Sequence, residues 1–286
     1  MHADAIAAAF EAACRDEIAA PKPGNVHVFA DGHRMKAADF LHSAAVAAAP
    51  IATPGARIGV RILGAVTATA EAIGTNTNLG IVLLCAPLAA AAEKAADPAE
   101  LRPALAACLR DLDRDDAEHA FAAIRRARPA GLGQAPRHDV FAPAQVGLRG
   151  AMAEAAARDA VARQYVNDFA DIFDVGLPEL VAARARWREP RWATLAVYLA
   201  FLSAFPDSHV ARKHGSDIAE ETRRIAIPLR ERLHGWDDPA LHIDDVLACD
   251  ASLKRRGINP GTSADLTVAT LFARHLTERL ADLAQQ

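Results

Sequence analysis

The sequence predicts an all-α protein, and three observations lead to this prediction. Hydrophobic residues make up 52% of the 286 residues but aromatic residues only 5%, so the core is built mainly from Ala, Leu, Val and Ile. This mixture favours closely packed helices over sheets, which prefer β-branched and aromatic residues. Apolar residues recur at helical spacing along most of the chain, and no segment alternates as a strand does. We expect residues 1–286 to form one compact multi-helix bundle.

Prolines and glycines divide the chain into separate helices. Pro21 ends the first helix, Pro50 the second and Gly74 the third. The fourth begins near Asn78 and is almost entirely apolar, as a helix buried inside a bundle would be. The remaining stretch at 128–143 is interpreted as a long loop within the domain. In chain order, we expect helices up to about 20 and at 36–49, 58–74, 78–92, 99–110, 115–127, 144–167, 191–204, 217–233, 242–254 and 264–283.

Charge and composition exclude several classes of protein. The net charge is −4, so no overall positive field favours a nucleic acid or an anionic membrane as partner. The longest uncharged apolar run, 79–92, has 14 residues and is too short to span a bilayer. The N-terminus carries Asp4 and no basic segment, which argues against a signal peptide. The four cysteines are scattered and are expected to be free buried thiols. A cytoplasmic protein is the resulting expectation.

Polar loops interrupt this apolar scaffold, and two of them lie early in the chain. The first, PKPGNVHVFADGH at 21–33, combines two prolines and two glycines with polar side chains, among them Lys22, Asn25 and His33. The second, GTNTNLG at 74–80, places Asn76 and Asn78 at the start of the buried fourth helix. One polar residue would suffice there as a helix N-cap, and an exposed helix N-terminus attracts anions.

Two further polar loops lie late in the chain. The loop FPDSHVARKHG at 205–215 places a carboxylate and a histidine two residues apart, followed by cations that suit phosphate groups. The loop KRRGINPGTSADL at 254–266 forms a tight turn before the last helix, and its Thr262 or Ser263 is suited to capping that helix. Glu71 lies in the last turn of the third helix, where a carboxylate opposes the helix dipole. It is therefore a candidate for holding a cation or a proton.

Other acidic motifs have simpler explanations. DLDRDD at 111–116 resembles an aspartate-rich magnesium motif but lies at a helix start, where acids are favoured. The pair His138–Asp139 resembles that of metal-dependent phosphohydrolases, although one such pair in a proline-rich loop often occurs by chance. Asp168 and Asp171 are expected on one face of a helix, either at the surface or lining a pocket.

Taken in order, the polar motifs resemble the triphosphoribosyl-dephospho-CoA synthase family. The resemblance rests on PKPGNV, DFLHSA (39–44), Glu71 with TNTNLG, DSHVARKHG and RGINPGTSADL, and it covers nearly the whole chain. It implies an all-helical, ATP-dependent triphosphoribosyl transferase without an organic prosthetic group. The 2′-hydroxyl of 3′-dephospho-CoA would attack the ribose C1 of ATP, adenine would leave, and the triphosphate would stay on the transferred sugar.

The resemblance also implies one pocket on which the polar loops converge. Glu71, Asp207 and His209 are the expected catalytic residues, and Asp207 with Glu71 would bind Mg²⁺ alongside the ATP phosphates. The expected partners are small-molecule nucleotides, with no nucleic acid or membrane, and a homodimer is possible. The expected substrate-binding residues are Lys22, Asn25, His33, Asn76, Asn78, Arg212, Lys213, Asn259, Gly261, Ser263 and Asp265.

Two departures from the family pattern leave the acceptor open. Asn78 and Leu79 occupy the places of a histidine and a lysine in the citrate-lyase-associated members, and His27 stands where those members carry an aspartate. Losing one lysine contact to a phosphate removes an interaction of roughly 1.5–3 kcal/mol. We therefore expect weak activity with dephospho-CoA unless Arg212 and Lys213 compensate. The alternatives are an acceptor belonging to a methanopterin- or methylofuran-type one-carbon carrier, a non-catalytic nucleotide-binding protein, and a phosphohydrolase using His138–Asp139.

Overall fold

The computed structural model describes residues 1–285, and these residues form α-helices and no β-strand. The predicted all-α fold is therefore confirmed. Short 3₁₀ turns lie at Pro98–Glu100 and Pro239–His242, and a π-helical turn at Asp171–Gly176 precedes α9. The helices are α1 (Ala3–Ile18), α2 (Ala37–Ile51), α3 (Ile58–Ile73), α4 (Leu79–Lys94), α5 (Leu101–Arg110), α6 (Arg114–Ala127), α7 (Leu148–Ala155), α8 (Ala160–Val166), α9 (Leu177–Arg186), α10 (Pro190–Ala204), α11 (Ser208–His214), α12 (Ser216–Gly235), α13 (Ile243–Arg255) and α14 (Gly261–Ala284).

The centre of the bundle consists of α4, α10 and α14. The last helix packs against α1, α4 and α10, so both ends of the chain lie in the same core. Helices α4 and α10 carry buried apolar residues on all their faces, as expected for helices with no face toward water. Leu84, Cys85 and Leu88 of α4 are completely buried. Thus the apolar run at 79–92 is a buried helix, as predicted.

Local capping sets several helix boundaries. Gly74 ends α3 in the left-handed conformation that glycine tolerates best, with φ of 76°. Asp113 accepts a hydrogen bond from the backbone N of Asp116, and the Asp116 side chain accepts one from the backbone N of Asp113. DLDRDD is thus the start of α6, which agrees with its simpler explanation.

Several details differ from the sequence-based expectation. The predicted segments did not include α9 and α11. Helix α2 continues through Pro50 and ends at Ile51, whereas it was expected to end before the proline. The segment 144–167 contains two helices, because Asp159 caps a new helix by accepting hydrogen bonds from the backbone N of Val161 and Ala162. Asp168 adopts a left-handed φ of 54° between helices, so it does not share a helical face with Asp171. These two carboxylates bind Arg149 and Arg163, respectively.

The cysteines are free, as expected. Cys14, Cys85 and Cys108 are buried and Cys249 is half-buried. Burial raises the pKa of the Cys14 and Cys85 thiols, which are therefore protonated, unreactive core groups. In the described part of the chain, each helix is too short or too polar to cross a membrane.

Candidate active site

Two adjoining cavities form the candidate site, at the end of the bundle where the polar loops meet. One has a volume of about 520 Å³ and contains the carboxylate of Asp265 in its wall, and we call it the Asp265 cavity. The other has a volume of about 1000 Å³, its charged lining residues are all arginine or lysine, and we call it the basic cavity. They are neighbours, because both are lined by Met35, Asn76, Asn78, Ala130, His209 and Asn259.

All four predicted polar loops contribute to the Asp265 cavity. The loops supply Asn25, Asn76, His209 and Asp265, respectively. Their meeting is possible because each loop begins or ends a helix of the bundle, and these helix ends lie at one mouth. A further part of the wall is apolar. It includes Phe40, Leu79, Ile81, Leu83, Phe121, Ile124, Met152 and Val161.

Asp265 is the carboxylate with the most unusual environment. It lies in the first turns of α14, half-buried against Gly80 of α4. Glu17, Asp139, Glu154 and Asp159 also line this cavity, but each is paired with a cation or a backbone N–H. Burial raises the pKa of Asp265 well above its ordinary value, and nearby carboxylates, chiefly Asp207, raise it further. Within residues 1–285 no donor offsets this rise by a hydrogen bond, so Asp265 is poised to accept a proton or to face a cation.

His209 lies between the two cavities as a neutral imidazole. Burial lowers its pKa to about 4, and the charges of Arg212 and Lys213 contribute to the shift. Its ring packs beside Gly261, where an added Cβ would lie 3.2 Å from Nδ1. At neutral pH the imidazole can therefore exchange hydrogen bonds with a ligand but carries no charge of its own.

Amide side chains gather at the junction of the cavities. Asn25 Nδ2 donates to Asn259 Oδ1 at 2.8 Å, which joins the first and the fourth polar loop. Asn76 Oδ1 accepts from the backbone N of Leu79 at 3.1 Å and so caps α4, while Asn78 Nδ2 donates to Thr69 at 2.9 Å. These amides are held in place by the scaffold, which leaves their remaining hydrogen-bonding atoms preorganised for a polar ligand.

Arg212 connects three elements around the Asp265 cavity. Its Nε donates to the carbonyl of Ala130 at 3.0 Å, and its Nη1 lies 3.2 Å from Asp159 Oδ2. Gly131 has a φ of 73°, and a Cβ there would lie 2.7 Å from the Arg212 carbonyl oxygen. The loop that begins at Pro129 is thereby fixed against α11, with Arg212 in the cavity wall.

The basic cavity is lined by cations without an opposing carboxylate among its described residues. Lys213 of α11 and His33 of the first loop line it, as the sequence predicted for ligand-binding residues. The other cations were not predicted, although three arginines within four residues directly before a proline-containing loop were a usable signal. These unpredicted lining cations are Arg34, Arg125, Arg126 and Arg128.

Asp207 lies outside both cavity linings and joins two helices. It is 0% exposed. Its Oδ1 accepts from the backbone N of His209 and Val210, which caps α11. Its Oδ2 accepts from the backbone N and the hydroxyl of Ser263 at 2.7 and 2.8 Å, which ties the start of α14 to α11. The catalytic and magnesium-binding roles of Asp207 stay predictions, and so does ligand contact by Ser263. The hydrogen bonds between the two residues favour a structural role for both.

Lys22 and Glu71 are also committed to other contacts. Lys22 is 0% exposed, and its ammonium donates to the carbonyls of Glu17 and Val26 and pairs with the Glu17 carboxylate at 3.1 Å. Glu71 is exposed at the surface and pairs with Arg126 at 2.9 Å. Neither residue lines either of the two cavities. Substrate contact by Lys22 therefore remains a prediction that this geometry does not support. The same holds for the catalytic and metal-binding roles of Glu71.

His27 belongs to a charged network behind the first loop. Its Nε2 lies 3.3 Å from Asp250 Oδ2, and Lys254 pairs with the same carboxylate at 3.0 Å. The other oxygen of Asp250 accepts from the backbone N of Gly24 at 2.8 Å. The departure at His27 thus concerns the anchoring of the loop and not the lining of the site.

The segment that connects α6 and α7 has a larger role than the sequence indicated. Pro129 to Val140 forms a wall of the Asp265 cavity, including Arg137 and the pair His138–Asp139. Both oxygens of Asp139 accept backbone hydrogen bonds within this loop, from Ala135 and Phe141. Because these bonds occupy the carboxylate, the pair does not resemble the metal-ligating pair of a phosphohydrolase.

Gly80 provides a test of the packing around Asp265. A Cβ at Gly80 would lie 2.0 Å from Asp265 Oδ2. We expect Gly80→Ala to displace the carboxylate or separate α4 from α14, and to destabilise the protein by about 1–3 kcal/mol in urea unfolding. Gly235→Ala, where the added Cβ meets no atom within 4 Å, is the matched control. Equal stabilities of the two variants would contradict the close contact.

Comparison with known proteins places this chain in a family. The model of the ATP:dephospho-CoA triphosphoribosyl transferase family matches residues 3–283. A crystal structure from Archaeoglobus fulgidus, described as that of a candidate triphosphoribosyl-dephospho-CoA synthase, shares the fold with a TM-score of 0.63 and 24% identity. The match covers 83% of this chain and 98% of the archaeal one. A search of curated protein sequences finds no significant match. Because the family model spans nearly the whole chain, the protein belongs to the ATP:dephospho-CoA triphosphoribosyl transferase family, a family of ATP-dependent enzymes.

Proposed function

We propose that the protein transfers the triphosphoribosyl group of ATP to a hydroxyl of 3′-dephospho-CoA, with Asp265 as the general base. The observation that carries this proposal is the partnerless carboxylate of Asp265 in a largely apolar cavity that adjoins a basic one. A base with a raised pKa accepts a proton from a hydroxyl more readily than an ordinary carboxylate.

The proposed reaction is a displacement at the ribose C1. The acceptor oxygen forms a bond to C1, the bond from C1 to the purine nitrogen breaks, and its electron pair leaves with adenine. The hydroxyl proton passes to Asp265, adenine takes up a proton from water as it leaves, and Asp265 returns its proton to water after the transfer. The sugar acquires positive charge in the transition state, as in glycoside hydrolysis, and a carboxylate close to it lowers the barrier. The neutral imidazole of His209 supplies hydrogen bonding at the same place.

Magnesium is proposed to enter with ATP. Within residues 1–285 no cluster of three or more His, Cys, Asp or Glu side chains forms a metal cage. Magnesium does not need one, since it usually binds one or two carboxylates together with phosphate oxygens and water. Asp265 is proposed as the base, so the ion would be held chiefly by triphosphate oxygens and water and not by this carboxylate. The chemistry supplied by magnesium would be partial neutralisation of the triphosphate.

The basic cavity bears on the choice of acceptor. We expected weak activity with dephospho-CoA because Asn78 and Leu79 replace a histidine and a lysine. Lys213 lines the basic cavity together with arginines from α6 and its C-terminal end, so positive charge is supplied from other elements. Such charge can replace the lost lysine contact to the donor triphosphate, so dephospho-CoA stays the first proposed acceptor. An acceptor from one-carbon carrier biosynthesis is the second, because the replacements at 78 and 79 change the junction of the cavities itself.

The proposed activity is tested by incubating the protein with ATP, Mg²⁺ and dephospho-CoA. We expect free adenine and, by mass spectrometry, an adduct that contains both the triphosphoribosyl group and dephospho-CoA. Release of ADP or phosphate without adenine would indicate hydrolysis instead. Adenine release that does not respond to dephospho-CoA would support a different acceptor. Unchanged ATP would support a nucleotide-binding protein.

A further inference from the structure

We infer that the basic cavity is a polyphosphate subsite, in which Arg34, Arg128 and Lys213 bind the triphosphate of the donor. The inference rests on the proposed function, since it names the part of the site that holds ATP. It goes beyond that function by assigning residues that the polar sequence motifs, apart from Lys213, do not include. It also assigns the cavity to the donor and not to the phosphates of the acceptor.

The first argument is that three of the lining cations have no partner within the described residues. Arg125 donates to the carbonyl of Val140, and Arg126 pairs with Glu71. Arg34, Arg128 and Lys213 form no ion pair or side-chain hydrogen bond in the described part of the chain, and they are exposed to solvent. Three uncommitted cations face one concave space whose described lining contains no carboxylate. A cleft lined by charges of one sign concentrates a ligand of opposite charge.

The second argument is backbone conformation. Arg34 and Arg128 have φ angles of 61° and 47°, in the left-handed region that side chains with a Cβ rarely adopt. His33, next to Arg34, has a φ of 56°. Its Nε2 lies 2.8 Å from the carbonyl oxygen of Gly24, and paired backbone bonds between Gly32 and Met35 close the turn. Arg128 ends α6 and Arg34 lies in a tight turn, so defined backbone conformations fix where these two side chains leave the chain at the same cavity.

The third argument is the order of chemical environments. A nucleoside triphosphate carries its charge at one end and its base at the other, with the ribose between them. The basic cavity, the amide junction and the Asp265 cavity follow one another in the same order, because Asn76, Asn78 and Asn259 line both cavities. A triphosphate in the basic cavity would place the ribose at hydrogen-bonding amides and direct C1 toward Asp265.

The experiment uses inorganic tripolyphosphate as the probe, with binding to the full chain measured by calorimetry without Mg²⁺. Each of Arg34→Gly, Arg128→Gly and Lys213→Ala is expected to weaken binding about 10- to 150-fold, the loss of one charged hydrogen bond. Glycine also relieves the left-handed backbone, so the two glycine variants are expected to have an equal or higher melting temperature than the wild type. A merely structural role would lower it. Arg224→Ala, an exposed α12 residue paired with Glu220, is the matched control and should bind as the wild type does.

Several outcomes would overturn the inference. Tripolyphosphate binding that is unchanged in all three variants would do so, as would binding no tighter than that of inorganic phosphate. With ATP, the variants should raise KM for ATP and leave KM for dephospho-CoA unchanged; the reverse pattern would assign the cavity to the acceptor. Variant-sensitive tripolyphosphate binding without adenine release would keep the subsite and reject the proposed function. Adenine release with an unaltered KM for ATP would reject the subsite alone.

Discussion

Replacing Asp265 with asparagine is expected to reduce adenine release by at least 100-fold and, at the same time, to make the protein more stable at neutral pH. The asparagine keeps the shape of the side chain beside Gly80 but cannot accept a proton, and a general base typically contributes 10²–10⁴-fold to a rate. Stability rises because a partnerless carboxylate in an apolar wall is costly to ionise, whereas a neutral amide avoids this penalty.

The pH dependence of stability separates this effect from a general loss of structure. The folded-state pKa of Asp265 lies above its unfolded value, so the wild type carries no penalty while the carboxyl is protonated in both states. The penalty appears as pH rises through the ordinary carboxyl range and is complete above the folded-state pKa. We therefore expect the melting temperatures of wild type and Asp265→Asn to converge in acid and to diverge as pH increases.

Two measurements check this prediction. Calorimetry across the pH range gives the stability difference, and chromatographic detection of adenine gives the rate. Asp282→Asn, an exposed carboxylate on the same helix, is the control and should change neither quantity appreciably. An Asp265→Asn variant that releases adenine at the wild-type rate would eliminate Asp265 as the base. A less stable variant would show that its carboxylate has a partner after all.

Asp207→Ala is expected to produce the largest loss of stability, about 3 kcal/mol or more. The change removes the acceptor of the Val210 and Ser263 backbone N–H groups and of the Ser263 hydroxyl at a fully buried position, while the His209 backbone N–H keeps its second acceptor, Thr262 Oγ1. A buried unsatisfied donor costs about 1–3 kcal/mol, and loss of a helix N-cap typically about 1 kcal/mol. The effects are not additive, because relaxation of α11 and α14 recovers part of the cost.

Urea unfolding measures this loss, and calorimetric binding of Mg²⁺–ATP distinguishes the two roles considered for Asp207. If Asp207 caps the helices, Asp207→Asn is partly destabilised and, where folded, still binds Mg²⁺–ATP. If Asp207 is a magnesium ligand, the same variant keeps its stability and loses the nucleotide. Ser263→Ala is the graded control, since it removes only the hydroxyl donor and should cost about 1 kcal/mol.

The candidate site could be located from sequence, but only partly assigned. Asn76, His209, Arg212 and Asp265 were predicted to bind or to react, and all of them line the Asp265 cavity. Asp207 and Lys22 have the same residue types and come from the same loops, yet they are buried in structural contacts. Residue type and loop position do not distinguish a carboxylate that caps two helices from one that faces a cavity.

The sequence by itself determined the helices and the family. Helical spacing of apolar residues, with prolines and glycines at the ends, is a local property, so most helices were predicted to within a few residues. The predicted segments did not include α9 and α11. Exceptions such as Asp159 arose where a polar side chain caps a new helix inside an apparently continuous pattern. The order of the polar motifs was likewise visible along the chain.

Only the tertiary structure decided which of these polar groups face the two cavities. Asp207 meets Ser263 and Asp265 meets Gly80, and in both cases the partners are far apart in sequence and on different helices. The basic cavity combines a turn at 33–34 with the end of α6 and with α11, and only packing brings these segments together. The reason is physical. Spacing along the chain determines which face of a helix a residue occupies, whereas its pKa and its unpaired hydrogen-bonding atoms depend on groups that only packing brings near.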